Sequence, residues 1–177
     1  ADTEALFATI SEASKLLGEF RLIIKTHPNR PHGDAALNAA LPLLGPARAS
    51  LLASSDDMYD GIAAADAMIC IGSTIAFEAM ALDVMPIVYE NPSTYSATSL
   101  REFEEGLFLV RNAAELQSAM IAVREGTEAA RKKRSYWPAI LRQVLGDLDT
   151  PIPEQLLASL CKLEAAMTGD RTDETPQ

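Results

Sequence analysis

Two apolar periods alternate along the chain. Short apolar runs such as Leu22-Ile23-Ile24, Met68-Ile69-Cys70-Ile71 and Pro86-Ile87-Val88 read as strands buried on both faces. Between them lie segments whose apolar residues return every three or four positions, the period of a helix with one buried face. The first, 3–17, aligns Leu6, Ile10, Ala13 and Leu17, with Gly18 as its stop. Strand 20–25 is followed by the turn residues Pro28, Asn29, Pro31 and Gly33 and by a helix over 35–44 behind Asp34, a good N-cap. Then come a short strand at 50–53, a helix at 56–64, a strand at 67–71, a helix at 74–82 and a strand at 86–90. A polar stretch from Asn91 to Ser99 leads into a short helix near 100–105 and a strand at 107–110. Asn112-x-x-Glu115 has the form of a capping box that opens a helix to Glu125. Helices at 128–145, with a kink expected at Pro138, and at 153–167 precede a polar tail over 168–177, expected to be disordered.

Strands separated by helices predict an α/β fold: a Rossmann-like, doubly wound parallel sheet with helices on both faces, one domain over 1–167. Such a sheet begins with its central strand, whereas this sequence begins with a helix. The expectation is that the strand lies upstream of Ala1 and that the chain is part of a longer protein.

Charge narrows the choice of partner. The chain has 177 residues and a net charge of −10. Residues 1–53 carry five acids and five bases; 54–105 carry ten acids against Arg101 alone; 106–177 carry ten acids and nine bases. Acidity of this order argues against a nucleic-acid partner. An anionic ligand near the middle third needs a specific means of being held. No apolar run approaches the roughly 20 residues of a membrane-spanning helix. Cys70 and Cys161 are too few for a disulfide framework or a four-ligand zinc site, and no metal site is expected. Cys70, inside an apolar run, reads as a small buried hydrophobe.

Ligands of open parallel sheets bind beyond the carboxyl ends of the strands, so the residues that follow each strand are the candidates. After the first predicted strand comes Lys25-Thr26-His27-Pro28. Pro28 keeps His27 extended, so its imidazole can project from the strand end; a histidine near a turn is as readily a structural one. After strand 67–71 comes Gly72-Ser73-Thr74, with a helix starting at once. Gly72 permits a tight turn, and the first N–H groups of the helix could meet a phosphate; equally, Ser73 or Thr74 could simply cap the helix. Glu78 follows Thr74 by four residues, on the same face of an otherwise apolar helix. It is either that helix's one solvent-facing position or a buried acceptor for ligand hydroxyls. Arg131-Lys132-Lys133-Arg134 reads as a solvated basic face, and Asn91–Ser96 as a surface loop that could line a pocket.

Lys25-Thr26-His27-Pro28, Ala65 through Thr74, Glu78-Ala79-Met80-Ala81-Leu82 and Pro86-Ile87-Val88 together resemble the C-terminal, donor-binding half of GT-B glycosyltransferases. The similarity is to bacterial surface and capsular polysaccharide enzymes, including CDP-glycerol glycerophosphotransferases. It implies a cytoplasmic enzyme, peripheral at most to the inner membrane, that binds a nucleotide-activated sugar or a CDP-activated donor as substrate and has no separate cofactor. Glycan or lipid-linked acceptor would be held mainly by an upstream half. His27 would be catalytic or contact the phosphates, Lys25, Gly72, Ser73 and Thr74 would hold phosphate, and Glu78 would take the ribose hydroxyls. The family's glycine shortly before the proline of the next strand is missing from Asp83-Val84-Met85-Pro86. Two other readings stay open: a UDP-N-acetylglucosamine 2-epimerase-like isomerase domain, which shares the architecture, and a non-catalytic nucleotide-binding module.

Overall fold

The computed structural model describes residues 2–15, 17, 20–25, 49–51, 58–92 and 99–146. The expected helices at 35–44 and 153–167, His27, Cys161 and the tail lie outside these residues. The chain divides into two compact units, Ala1–Ile140 and Leu141–Gln177; the second is described only through residue 146.

The first unit is α/β. Helix α1 (Asp2–Ser14) opens with Asp2 and Glu4, acids that suit the positive end of the helix dipole, and buries Leu6, Phe7, Ile10 and Ala13. It ends three residues before the expected Leu17. Ser14 Oγ donates to Ser11 O at 2.7 Å, and Lys15 N–H reaches back only three residues, to Glu12 O. Hydroxyls that compete for backbone acceptors disfavour a helix interior. Leu17 is buried all the same.

Strand β1 (Leu22–Ile24) pairs in parallel with β2 (Ala49–Leu51). After α2 (Met58–Ala63) come β3 (Ala67–Cys70), α3 (Ile75–Ala81) and β4 (Met85–Tyr89). A 3-10 segment, η1 (Ser99–Gly106), leads to β5 (Phe108–Val110), α4 (Ala113–Arg124) and α5 (Glu128–Leu145). Strands β3, β4 and β5 form a parallel sheet in that order, with Cys70 opposite Val88 and Tyr89 opposite Val110. Every residue of β4 is buried, as its central place requires. Pro86 lacks a backbone donor yet sits within this central strand opposite Met68, whereas prolines in sheets are otherwise found at edges or strand starts.

Because side chains alternate along a strand, the sheet supports two cores. Ile87, Tyr89 and Val110, with Ala67, Ile69 and Phe108, pack with α1 and α4; Phe20, Leu22 and Ile24 join the same core. Met68, on the opposite parity, packs with Ile62 of α2, Ala79 of α3 and Val84. Helices therefore lie on both faces of the three-stranded sheet.

The capping box at 112–115 forms with a shift. Asn112 Oδ1 accepts from Glu115 N–H at 2.9 Å, while Glu115 Oε2 takes the N–H of Arg111, one residue ahead of the cap, at 2.7 Å. Helix α4 closes on Gly126, at φ +58. Helix α5 runs through Pro138 and carries the chain from the first unit into the second. Trp137 Nε1 donates to Gly106 O at 2.6 Å. A Cβ at Gly106 would collide with the Ile140 side chain and lie 3.3 Å from the Trp137 ring, so only glycine allows helix and η1 to meet so closely.

Candidate functional site

All three strands of the β3–β4–β5 sheet run the same way, so their carboxyl ends form one edge. Gly72, Glu90 and Arg111 each lie just past a strand end at that edge.

At the end of β3, Gly72 takes φ +53, the left-handed conformation in which a side chain is strained, and is exposed. Ser73 Oγ accepts from Ile75 N–H at 3.4 Å, a long bond. Thr74 stands at the N-cap but makes no side-chain cap. The donors expected to be free at this turn are engaged: Ala76 N–H with Ser73 O at 3.2 Å and Phe77 N–H with Thr74 O at 3.0 Å. The Ser73 backbone N–H approaches Cys70. Burial raises the Cys70 thiol pKa to about 11, against the smaller opposing effect of that donor, so the sulfur is a protonated thiol at neutral pH.

Glu78 lies one turn into α3, partly buried between buried Phe77 and Ala79. Its Oε2 is buried and, among the described residues, has no hydrogen-bond partner. A buried carboxylate oxygen without a donor is costly; a ligand hydroxyl would relieve it.

Helix α3 closes at Asp83, which takes the left-handed φ of +60. Its N–H bonds Met80 O at 3.1 Å and the Val84 N–H bonds Ala79 O at 2.8 Å, the paired bonds of a Schellman ending. The Asp83 carboxylate is held by Arg134 at 2.7 Å.

Sequence reasoning missed a second group at this edge. Glu90 follows β4 and is buried, its side chain 6% exposed. Arg101 of η1 clamps it with two bonds, Nε to Oε1 at 2.8 Å and Nη2 to Oε2 at 2.9 Å; Arg111 Nη2 reaches Oε2 at 3.1 Å. The Arg101 hydrogen bonds are the main reason that the Glu90 carboxyl is held below the usual range, with the Arg101 charge and Arg111 adding to them against the opposing effect of burial. Beside it, Asn91 Nδ2 donates to Asp2 Oδ1 at 2.9 Å, which brings the start of α1 to the same edge. The signal available in the sequence was Arg101 as the single base among ten acids, together with an acid placed directly after the most apolar strand.

The structure thus unites Gly72, Ser73, Thr74 and Glu78 in one turn and helix. Lys25 stands half-buried just past β1, in the other strand pair. The basic run on α5 lies at the surface, with Arg131 and Lys132 exposed and Lys133 and Arg134 partly buried, and three of its side chains make contacts there. Arg131 Nη1 donates to Gly126 O at 2.6 Å. Lys133 donates to Glu104 O at 2.7 Å and lies over the Phe108 ring. Arg134 pairs with Asp83 and stacks on Trp137.

Among the described residues, no group of three or more His, Cys, Asp or Glu could hold a metal ion, and no helix is long and apolar enough to cross a membrane. Comparison of the chain with protein-family models, curated proteins and solved structures gives no match.

Proposed function

We propose that the chain is the donor-binding half of a GT-B glycosyltransferase that takes a nucleotide-activated sugar, or a CDP-activated polyol, and acts in the synthesis of a bacterial surface or capsular polysaccharide in the cytoplasm. The observation that carries this reading is Glu78: a buried carboxylate oxygen without a donor among the described residues, one turn along the helix that follows an exposed Gly72 turn at the carboxyl edge of a parallel sheet. Two adjacent ribose hydroxyls are donors suited to an acceptor-only carboxylate.

Strand order gives further support. A doubly wound sheet ordered 3-2-1-4-5-6 contains the two groups found here if β1 and β2 are its second and third strands and β3, β4 and β5 its fourth to sixth.

In this reading, transfer breaks the bond between the donor's leaving phosphate oxygen and the transferred group, and negative charge builds on that phosphate. The residues of this half bind the nucleotide and stabilise the charge as it develops. Glu78 takes the ribose, Gly72 lets the phosphate approach the backbone, Ser73 and Thr74 offer hydroxyls, and Lys25 and His27 supply positive charge. The acceptor and the base that activates it belong to the upstream half, so the 177-residue chain alone is expected to bind donor nucleotide without turnover.

NMR titration tests the assignment. CMP, CDP or UDP is expected to shift the amide signals of residues 72–78, and Glu78→Ala and Ser73→Ala should weaken the response. A nucleotide that binds while leaving those signals unchanged would overturn it.

A further inference from the structure

The two parts of a nucleotide place opposite demands on the sheet edge at Gly72. Ribose hydroxyls donate, and Glu78 Oε2 is a buried acceptor that has no donor among the described residues. A phosphate needs hydrogen-bond donors or positive charge, and here most of both are engaged. Helix α3 has seven residues. The N–H groups of Ile75, Ala76 and Phe77, which at a free helix start would meet an anion, bond Ser73 Oγ, Ser73 O and Thr74 O. The Ser73 N–H is turned to Cys70. Arg101, the one base among the ten acids of 54–105, is bound to Glu90, and Lys25 already interacts within the chain. The Glu78 carboxylate itself repels a phosphate joined to the sugar that it holds.

We infer that the Gly72–Glu78 edge recognises its ligand by the ribose diol and gains no ground-state affinity from the phosphates, so that this chain binds a nucleoside at least as tightly as its diphosphate. This rests on the ribose reading of Glu78 and adds a division of labour to it. The diol anchors the nucleotide. The hydroxyls of Ser73 and Thr74, the latter without a capping bond, are left with Lys25 and His27 to act on the charge that develops as the phosphate leaves. An interaction that is stronger in the transition state than in the ground state is the kind that speeds the chemical step. Salt dependence carries the same information. Where cations hold a phosphate, added salt weakens binding; where carboxylates repel it, salt screens the repulsion and binding tightens. The sign of the dependence therefore reports which charges the phosphates meet.

The test is NMR titration of the 177-residue chain at pH 8, where an ordinary histidine is neutral, following the amide signals of residues 72–78. The probes are cytidine, CMP and CDP, the matching uridine series, and the two 2′,3′-dideoxynucleosides. Each nucleoside that binds should do so at least as tightly as its diphosphate. Added salt should tighten the diphosphate about twofold or more and leave the nucleoside unchanged. Glu78→Gln removes the repelling charge and keeps an acceptor, so it should raise the affinity for diphosphate relative to nucleoside about threefold or more. A diphosphate that binds more than about twofold tighter than its nucleoside, or that weakens as salt is added, overturns the inference. So does a failure of both nucleosides to bind. The dideoxynucleosides judge the ribose reading separately. Weaker binding by them upholds that reading even where the phosphate result fails, and binding as tight as that of cytidine and uridine removes it together with the inference.

Discussion

Glu90 illustrates what single residues do in this molecule. Its carboxyl is held below the usual range, chiefly by the Arg101 hydrogen bonds, so its stabilising effect is fully present above the unfolded value of about 4.3 and is lost as pH falls through the lower folded value. Glu90→Gln should therefore destabilise the chain by about 1–3 kcal/mol at pH 7, and the gap from wild type should narrow in denaturant titrations at pH 3. A gap of equal size at both values would mean that the carboxylate charge contributes nothing. Cys70 is the opposite case, a group whose uncharged form is favoured by burial. With a pKa of about 11, its alkylation at pH 8 in a Cys161→Ser background should be on the order of a hundredfold slower than that of a free thiol. Cys70 was legible from the sequence in part: an apolar run implies desolvation, yet every residue of β3, Cys70 included, is only partly buried. The Glu90 cluster was not, because Glu90, Arg101 and Arg111 meet only when β4 and β5 pair and η1 folds back beside them.

Elements were read well where apolar runs were long and less well where a local contact set the boundary. The β3, β4 and β5 runs announce themselves, and Gly72 marks the turn after the first of them. The end of α1 at Ser14 depends on one hydroxyl taking the Ser11 carbonyl, which periodicity does not register. The ending of α3 depends on Asp83 accepting a left-handed backbone with Arg134 beside it, a pairing of residues 51 positions apart. Asp83→Gly removes a backbone penalty of roughly 1 kcal/mol and an exposed ion pair worth about 0.2–1 kcal/mol, so its stability should equal or slightly exceed wild type. Asp83→Ala keeps the penalty and loses the pair; it should fall below Asp83→Gly by about 1 kcal/mol in chemical denaturation. Gly106→Ala tests the contact between η1 and α5. The added methyl meets Ile140 and the Trp137 ring and should cost about 1–3 kcal/mol, with a smaller increment when it is introduced into an Ile140→Ala background.

For the molecule as a whole, the α/β alternation of the sequence corresponds to a parallel sheet with helices on both faces, and the acidity of its middle third acquires a layout. Glu90 is enclosed by arginines, Asp83 closes a helix, and Glu78 keeps one buried oxygen without a donor among the described residues. The central claim is that this last carboxylate grips the ribose of a donor nucleotide. The most direct measurement is the affinity of wild type and Glu78→Ala for CDP and UDP and for their 2′,3′-dideoxy analogues. Wild type should prefer the ribonucleotides by tenfold or more, as expected for hydrogen bonds to a charged acceptor worth about 1.5–3 kcal/mol, and Glu78→Ala should abolish the preference. Equal affinity of wild type for ribo and dideoxy forms, or a preference that survives in Glu78→Ala, would contradict the account.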